Sequence, residues 1–255
     1  MCERSDQQGV QSVEVGARLL KAIAAASAPL MLKELAAAAR MPPAKAHRYL
    51  VSLARCGLVE HKPSGLYDLG PFAMQLGLSA MARISPVSVA EPFIEELRTE
   101  IGQTVALAVW GDYGPVIVRW LGVETPVGAA LRVGSIMPVT RSATGLAFLS
   151  FLPDQNTTAL VKLELAENRR AGCKPANRDQ LAAMIEETRR RGCAFTSDFI
   201  QGIAGVAAPA FDHTHTIALG LIALGYTEPF SADRSRIESA VVRTARLVSQ
   251  RLGWQ

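Results

Sequence analysis

The sequence predicts an α+β protein: an N-terminal winged helix-turn-helix, a linker helix, and a C-terminal antiparallel sheet domain with flanking helices. Two observations support the first part: apolar residues recur at helical spacing in three segments before residue 56, and two short strand-like runs follow them. A third observation supports the rest. From residue 86 onward, strand-like runs joined by short turns are separated by helical segments, which is typical of an antiparallel sheet with helices packed on it.

The helix-turn-helix is predicted from closely spaced helices. Residues 12–25 and 32–39 have helical apolar spacing and are separated by a break at Ser27–Pro29. The third helix begins at Pro43, which suits a first turn because its missing N–H would have no partner there. Ala46, Leu50 and Leu53 then repeat at i, i+4 and i+7, which predicts one buried stripe.

The opposite face of the third helix is basic and polar, as expected of a recognition helix that meets phosphates and base edges in a major groove. The candidate DNA-binding residues are Pro43, Ala44, Lys45, His47, Arg48, Tyr49, Ser52, Lys62 and Ser64. Two alternatives stay open. The face is an ordinary solvated surface, or His47 is a hydrogen-bonded structural residue between helices.

The two strand-like runs predict a wing. After Gly57, residues 58–61 can pair with residues 66–69 around a turn at residues 62–65. Between residues 40 and 62 there are five Lys or Arg residues and one acid, Glu60, an imbalance suited to a polyanion. The predicted partner is therefore a double-stranded DNA operator, with a protein-binding helical module as the alternative.

Composition agrees with a two-domain intracellular protein. The 255 residues are 49% apolar, and of the net charge of +4, residues 1–78 carry +3 (nine Lys or Arg against six Asp or Glu). The four cysteines are scattered without a C-x-x-C pair, so neither a zinc site nor a disulfide framework is predicted. Glu3, Arg4 and Asp6 interrupt any signal-like apolar stretch, and residues 217–226 are too short to span a bilayer. A cytoplasmic protein with no membrane partner is expected.

A linker helix over residues 71–83 presents apolar residues at Phe72, Leu76 and Met81. That apolar face packs either on a second subunit or on its own chain.

After the linker helix, the pattern predicts helices and strands in the following order: helix 87–103, strands 104–110 and 115–121, a further strand at 127–133, helices 143–152, 155–168 and 178–191, strands 194–196, 203–211 and 217–225, and a final helix 232–252 capped by Ser231. There is no GxGxxG and no P-loop, so no cofactor is predicted.

Six short motifs lie at residues 10–14, 47–50, 67–70, 138–145, 151–153 and 202–209. In their order and spacing the chain resembles the IclR family of bacterial transcriptional regulators over nearly its whole length. The resemblance implies a GAF-like effector-binding C-terminal domain, a homodimer or homotetramer, and control of a nearby catabolic operon, as repressor or activator. The expected domains are a flexible N-terminus (1–9), a winged helix-turn-helix DNA-binding domain (10–70), a linker helix (71–85) and an effector-binding GAF-like domain (86–255).

An effector site is predicted at the start of helix 143–152. Ser142 can cap this helix, and the N–H groups of Ala143, Thr144 and Gly145 would then be available to a carboxylate. The alternative is an ordinary capped helix packed on the sheet. Arg141 stands where a small residue is more usual in the family. Its side chain either pairs with the carboxylate or faces solvent.

Departures from the family pattern shape the predicted ligand. Members often have Cys where Gly205 stands and Ser where Ile222 and Leu224 stand, so this pocket should be more apolar and roomier. We expect a carboxylate effector with a hydrophobic or aromatic body, and we expect Asp198 to contact a hydroxyl group of that effector. The candidate effector-binding residues are Ala143, Thr144, Gly145, Asp198, Gly205, Ile222 and Leu224. Before His47-Arg48 the chain has Pro43-Ala44-Lys45, where relatives commonly carry Ser and Thr. The operator sequence of a relative therefore cannot be assumed for this protein.

The sequence leaves two other function classes open. His213 and His215 would lie on one face of an extended strand and could begin a metal site of an enzyme, although a polar hairpin tip explains them equally well. Cys173 and Cys193 have no neighbouring base in the sequence. No catalytic or metal-binding residue is therefore predicted. A DNA-binding protein whose C-terminal domain only oligomerises remains the main alternative to a sensor.

Overall fold

A computed structural model describes residues 9–81, 83–122, 131–175 and 177–254, without the side chains of Met81 and Asp198. The chain divides into two compact units, Met1–Arg83 and Ile84–Gln255. In the described residues, no helix is long and apolar enough to cross a membrane.

The first unit is a three-helix core with a hairpin. Its elements are α1 (Gln11–Ala24), α2 (Leu32–Ala38), α3 (Pro43–Arg55), β1 (Val59–His61), β2 (Tyr67–Leu69) and α4 (Pro71–Met81). The predicted stripe on α3 is buried: Ala46 and Leu50 are fully enclosed with Leu19 and Leu35, and Leu53 packs beside them. The wing hairpin pairs β1 with β2 in antiparallel register, and Tyr67 also exchanges two backbone hydrogen bonds with Leu30. The wing is therefore fixed to the junction between α1 and α2.

The second unit is a five-stranded antiparallel sheet in the order β4-β3-β7-β6-β5. Its elements are α5 (Pro86–Ile101), β3 (Thr104–Gly111), β4 (Gly114–Leu121), α6 (Ala143–Leu149), α7 (Asp154–Ala171), α8 (Arg178–Arg191), β5 (Ala194–Ile200), β6 (Ile203–Phe211), β7 (Ile217–Tyr226), α9 (Thr227–Ala232) and α10 (Arg234–Arg251).

Helices cover both faces of this sheet. Alternate residues of β6 point to opposite sides: Val206 and Ala208 pack with α5 and α10, whereas Ile203 and Ala207 pack with α6 and its neighbours α7 and α8. Such strands read as continuous apolar runs rather than alternating ones, which accounts for the unbroken stretches in β6 and β7.

Two details differ from the sequence prediction. The additional strand was predicted at residues 127–133, of which 123–130 lie outside the described residues and 131–133 are not in a strand. Backbone pairing with β4 comes instead from residues 135–137, where Ile117 N–H donates to Ser135 O and Met137 N–H donates to Pro115 O. The predicted flexible N-terminus falls largely on residues 1–8, which are also outside the described part.

The predicted final helix (232–252) corresponds to α10, and the short helix α9 before it was not predicted. Ser231 lies inside α9 rather than capping α10, and the chain bends at Asp233 before α10 begins. Buried Phe230 anchors α9 to the core, and Pro229 lies early in α9, where a missing N–H costs little. The predicted buried register of α10 is confirmed, because Ile237, Val241 and Val248 are fully enclosed.

Candidate functional sites

The recognition helix α3 presents its basic face outward because the opposite face is buried. Enclosure of Ala46 and Leu50 leaves Lys45 and Arg48 exposed. Neither cation meets a carboxylate in the described part of the chain. Their charges are thus uncompensated by the described residues, which is the condition for releasing counterions from a polyanion.

Five of the predicted DNA-binding residues share one concave surface. These are Ala44, Lys45, Arg48, Tyr49 and Ser52. Pro43 occupies the first position of α3, as the sequence predicted. The hydroxyl of Ser52 donates to the backbone oxygen of Arg48 at 3.2 Å, so this group is engaged with its own helix.

The other predicted residues lie in or beside the wing. His47 Nδ1 lies 3.5 Å from the hydroxyl of Tyr67, a long contact that favours the structural role left open for this histidine. Ser64 is exposed in the turn of the wing. Lys62 forms an ion pair with Asp68 at 2.6 Å. That hydrogen bond raises the pKa of Lys62 and lowers the pKa of Asp68. Asp68 therefore offsets part of the positive charge of the wing.

A second candidate site lies between α6 and the sheet. Strand register aligns Thr196 with Gly205, and Gly205 with Leu224, in one row across β5, β6 and β7. Ile222 lies two residues before Leu224 on the same face of β7. Together with α6 these residues enclose a small cavity, whose lining is Leu131, Met137, Ser142, Ala143, Thr144, Thr196, Phe199, Ile200, Ile203, Gly205, Ile222 and Leu224.

The cavity is apolar, as predicted, but it is not roomy. Its volume is about 20 Å³, enough for roughly one water molecule. A Cβ at position 205 would lie 2.9 Å from Leu224 Cδ2, so the Leu224 side chain already fills the space that a larger residue at 205 would need. A drug-sized ligand occupies a few hundred Å³. A larger ligand needs more space than this cavity offers, and rotation of the Leu224 side chain is one way to provide it.

The first turn of α6 departs from the expected anion site. The Ser142 cap is confirmed, because its Oγ accepts from Gly145 N–H at 2.9 Å. Ala143 N–H donates to Thr196 Oγ1 at 3.1 Å. Two of the three predicted donors are therefore satisfied within the protein. Gly145 does not line the cavity. It faces the preceding loop so closely that a Cβ there would lie 2.2 Å from Pro138 O.

Several lining residues were missed from sequence. Thr196 follows from the alternation along β5, since it lies two residues after buried Ala194. Phe199 and Ile200 could not be placed this way, because the register of β5 against β6 shifts between Thr196 and Ile200. Asp198 lies on β5 between them, and its side chain is outside the described residues.

Glu164 of α7 is a further residue that no sequence motif indicated. Its carboxylate accepts hydrogen bonds from Val139 N–H and Thr140 N–H, both at 2.8 Å, and from Thr140 Oγ1 at 2.7 Å. Asn168, one turn later on α7, donates to Thr140 Oγ1 at 3.0 Å. These bonds fix the loop that leads into α6, although Glu164 lies far from that loop in sequence.

The residues considered for metal binding or catalysis lie elsewhere. His213 and His215 belong to the β6–β7 turn, where Asp212 accepts hydrogen bonds from Thr214 and Thr216. Burial alone would raise the pKa of Asp212, but these bonds outweigh burial and lower it. Cys193 is buried, and desolvation raises its pKa to about 11, which disfavours a thiolate. The described residues contain no group of three His, Cys, Asp or Glu side chains that could hold a metal.

Comparisons with known proteins match both units of the chain to one family. The model of the IclR helix-turn-helix domain matches residues 12–63, and the model of the bacterial transcriptional regulator IclR C-terminal domain matches residues 79–250. Among curated relatives, the HTH-type transcriptional regulator KipR of Bacillus subtilis is 26% identical over 227 residues, covering 88% of this chain and 90% of its own.

Solved structures share the fold. Pseudomonas aeruginosa HmgR matches with a TM-score of 0.87 and 32% identity, covering 96% of this chain and 99% of its own. An IclR homolog from Microbacterium hydrocarbonoxydans, solved in complex with 4-hydroxybenzoate, matches with a TM-score of 0.53 and 18% identity, covering 94% and 99% of the two chains. With both family domains matched in order, this chain belongs to the IclR family of DNA-binding transcriptional regulators.

Proposed function

We propose that this regulator binds a double-stranded operator near its own gene through α3 and the wing, and that a carboxylate with an aromatic or hydrophobic body modulates that binding. The uncompensated charge of Lys45 and Arg48 on the exposed face of α3 carries the DNA-binding half of the proposal. The domain roles follow: residues 10–70 bind DNA, 71–85 link, and 86–255 bind the effector.

The effector class rests on the lining of the cavity between α6 and the sheet. Met137, Phe199, Ile203, Ile222 and Leu224 offer apolar surface. Ser142, Thr144 and Thr196 add hydroxyl groups, and the N–H of Thr144 has no acceptor among the described residues. Such a lining suits an aromatic ring better than a very small oxidised acid. The Microbacterium homolog of the same fold binds an aromatic carboxylate, which favours the same class here.

Transmission to DNA is assigned to α4. Paired winged helices must meet half-sites about 34 Å apart, so a small change in their spacing costs operator affinity. Effector binding in the second unit would change that spacing in a dimer. The effector and the operator DNA are then coupled, because both shift the same equilibrium between two conformations of the dimer. Both repression and activation are compatible with this coupling.

Replacing Lys45 and Arg48 together with Ala should weaken operator binding by at least about tenfold, because each contributes a phosphate or base contact. The slope of log affinity against log salt should become shallower by up to about 2. Fluorescence anisotropy on labelled DNA flanking the gene, measured at several salt concentrations, checks both.

The matched control is Arg18→Ala with Lys21→Ala on α1, which removes the same charge from exposed positions away from the recognition face. Equal loss in both double variants would mean that only net charge matters. Unchanged binding by the Lys45 and Arg48 variant would refute the recognition-helix assignment.

An aromatic carboxylate should bind the wild-type protein in isothermal titration, and glyoxylate and pyruvate should not. The physical reason is that the ring fills apolar space vacated by Leu224, whereas a two- or three-carbon acid leaves that space empty. Tight binding of glyoxylate together with no binding of 4-hydroxybenzoate or phenylacetate would overturn this effector class.

A second copy of the chain is the proposed partner of α4. Phe72, Met74, Leu76 and Leu78 are between 42% and 66% exposed, an unusual concentration of apolar side chains on one short helix. Met74→Glu with Leu78→Glu should therefore shift the mass measured by light scattering toward the monomer. Gln75→Glu with Ser79→Glu places the same two charges at exposed polar positions of α4 and is the control. An unchanged oligomer in the double variant would contradict the assignment.

A further inference from the structure

Arg141 occupies a loop that is held on its N-terminal side by Glu164. The two oxygens of that carboxylate take the N–H groups of Val139 and Thr140, each at 2.8 Å. A carboxylate bonded to two successive backbone donors fixes the orientation of both peptide planes. The backbone immediately before Arg141 is therefore held in place by α7.

The loop is held equally well on its C-terminal side. Ser142 Oγ donates to Pro138 O at 2.7 Å and accepts from Gly145 N–H at 2.9 Å. The close approach of Gly145 to Pro138 O leaves no space for a side chain between the loop and α6. Arg141 thus extends from a backbone that is ordered before any ligand arrives, which reduces the entropy lost on binding.

The side chain of Arg141 lies next to a residue of the cavity wall, although Arg141 is not itself among the lining residues. Its Cζ is 6.0 Å from the centre of the Phe199 ring, and Phe199 lines the cavity together with Ser142, Ala143 and Thr144. This distance is at the outer limit of a cation–π contact. Phe199 therefore makes at most a weak contact with the guanidinium and accepts no hydrogen bond from its N–H groups. Arg141 is half-buried.

The charge of Arg141 is uncompensated by the described residues. Many arginines of the same unit contact a carboxylate, including Arg119, Arg190, Arg191, Arg234, Arg236 and Arg243. No described carboxylate lies within ion-pair distance of Arg141. A half-buried cation at the edge of an apolar cavity lacks full hydration and gains most from a ligand anion.

The first turn of α6 does not offer a comparable group. Ala143 N–H and Gly145 N–H are already bonded to Thr196 and Ser142, and α6 has only seven residues. The single remaining N–H can donate only one hydrogen bond to a carboxylate. A guanidinium has five N–H donors and can bind a carboxylate through two parallel hydrogen bonds.

We propose that Arg141 is the residue that selects an anionic effector: its guanidinium binds the carboxylate, while the aromatic body lies against Phe199 and the apolar wall of β6 and β7. This inference rests on the proposed function and names the anchor within the same site. Specificity is then divided, with charge recognised by Arg141 and the ring recognised by the cavity.

Isothermal titration of 4-hydroxybenzoate and phenylacetate, each beside its neutral amide, tests the assignment. Arg141→Gln should weaken carboxylate binding by about tenfold to a hundredfold, the value of a charge-assisted hydrogen bond, and should leave amide binding unchanged. The carboxylate affinity of Arg141→Lys should lie between those of wild type and Arg141→Gln, because lysine keeps the charge but cannot form the two-point hydrogen bond of a guanidinium. Arg246→Gln is the matched control: this exposed arginine lies on α10, on the opposite face of the sheet, and should bind like wild type.

The outcomes separate the two levels of the proposal. Equal carboxylate affinity in Arg141→Gln and wild type overturns the role of Arg141 and leaves the effector class standing. A parallel loss of carboxylate and amide binding in Arg141→Gln, with an unchanged melting temperature, overturns it as well, because the residue would then shape the cavity rather than select charge. No binding of either acid to wild type overturns the effector class and the assignment together.

Discussion

Burial of both faces of the five-stranded sheet is the constraint on which the effector-binding unit depends. Strands β6 and β7 carry small and apolar residues on alternate sides, so α5 and α10 cover one face while α6 covers the other. On the α6 side the fit is close: a Cβ at Gly220 would lie 2.9 Å from the ring of Phe148. At Gly205 the missing side chain leaves space on that face, and Leu224 fills it in this structure.

Much of the fold was predictable because it depends on local periodicity. The buried stripe of α3 and the pairing of the wing strands follow from the local spacing of residues such as Ala46, Leu50 and Tyr67. The short helix α9 was missed, because its six residues are too few to show an apolar repeat and Phe230 is the one buried residue along it.

The candidate effector site was less predictable for a physical reason. Its apolar character followed from Gly205, Ile222 and Leu224, but its volume depends on the Leu224 rotamer, which sequence does not specify. The long-range bonds of Glu164 to the loop at residues 139–140 have no sequence signal at a spacing of about 25 residues. Those bonds change the chemistry expected at α6, because they order the loop that carries Arg141. The N–H groups of Ala143 and Gly145 at the start of α6 are already bonded to Thr196 and Ser142.

In the proposed mechanism, a carboxylate bound in the second unit changes DNA binding by the first. The most direct test is a gel shift on DNA flanking the gene, with excess non-specific competitor, across aromatic and aliphatic carboxylates. We expect a specific band that an aromatic carboxylate strengthens or weakens, whereas its neutral amide has no effect. A specific band that no carboxylate alters, although the same compound binds the protein by titration, would contradict the coupling and leave a DNA-binding protein whose second unit does not control it.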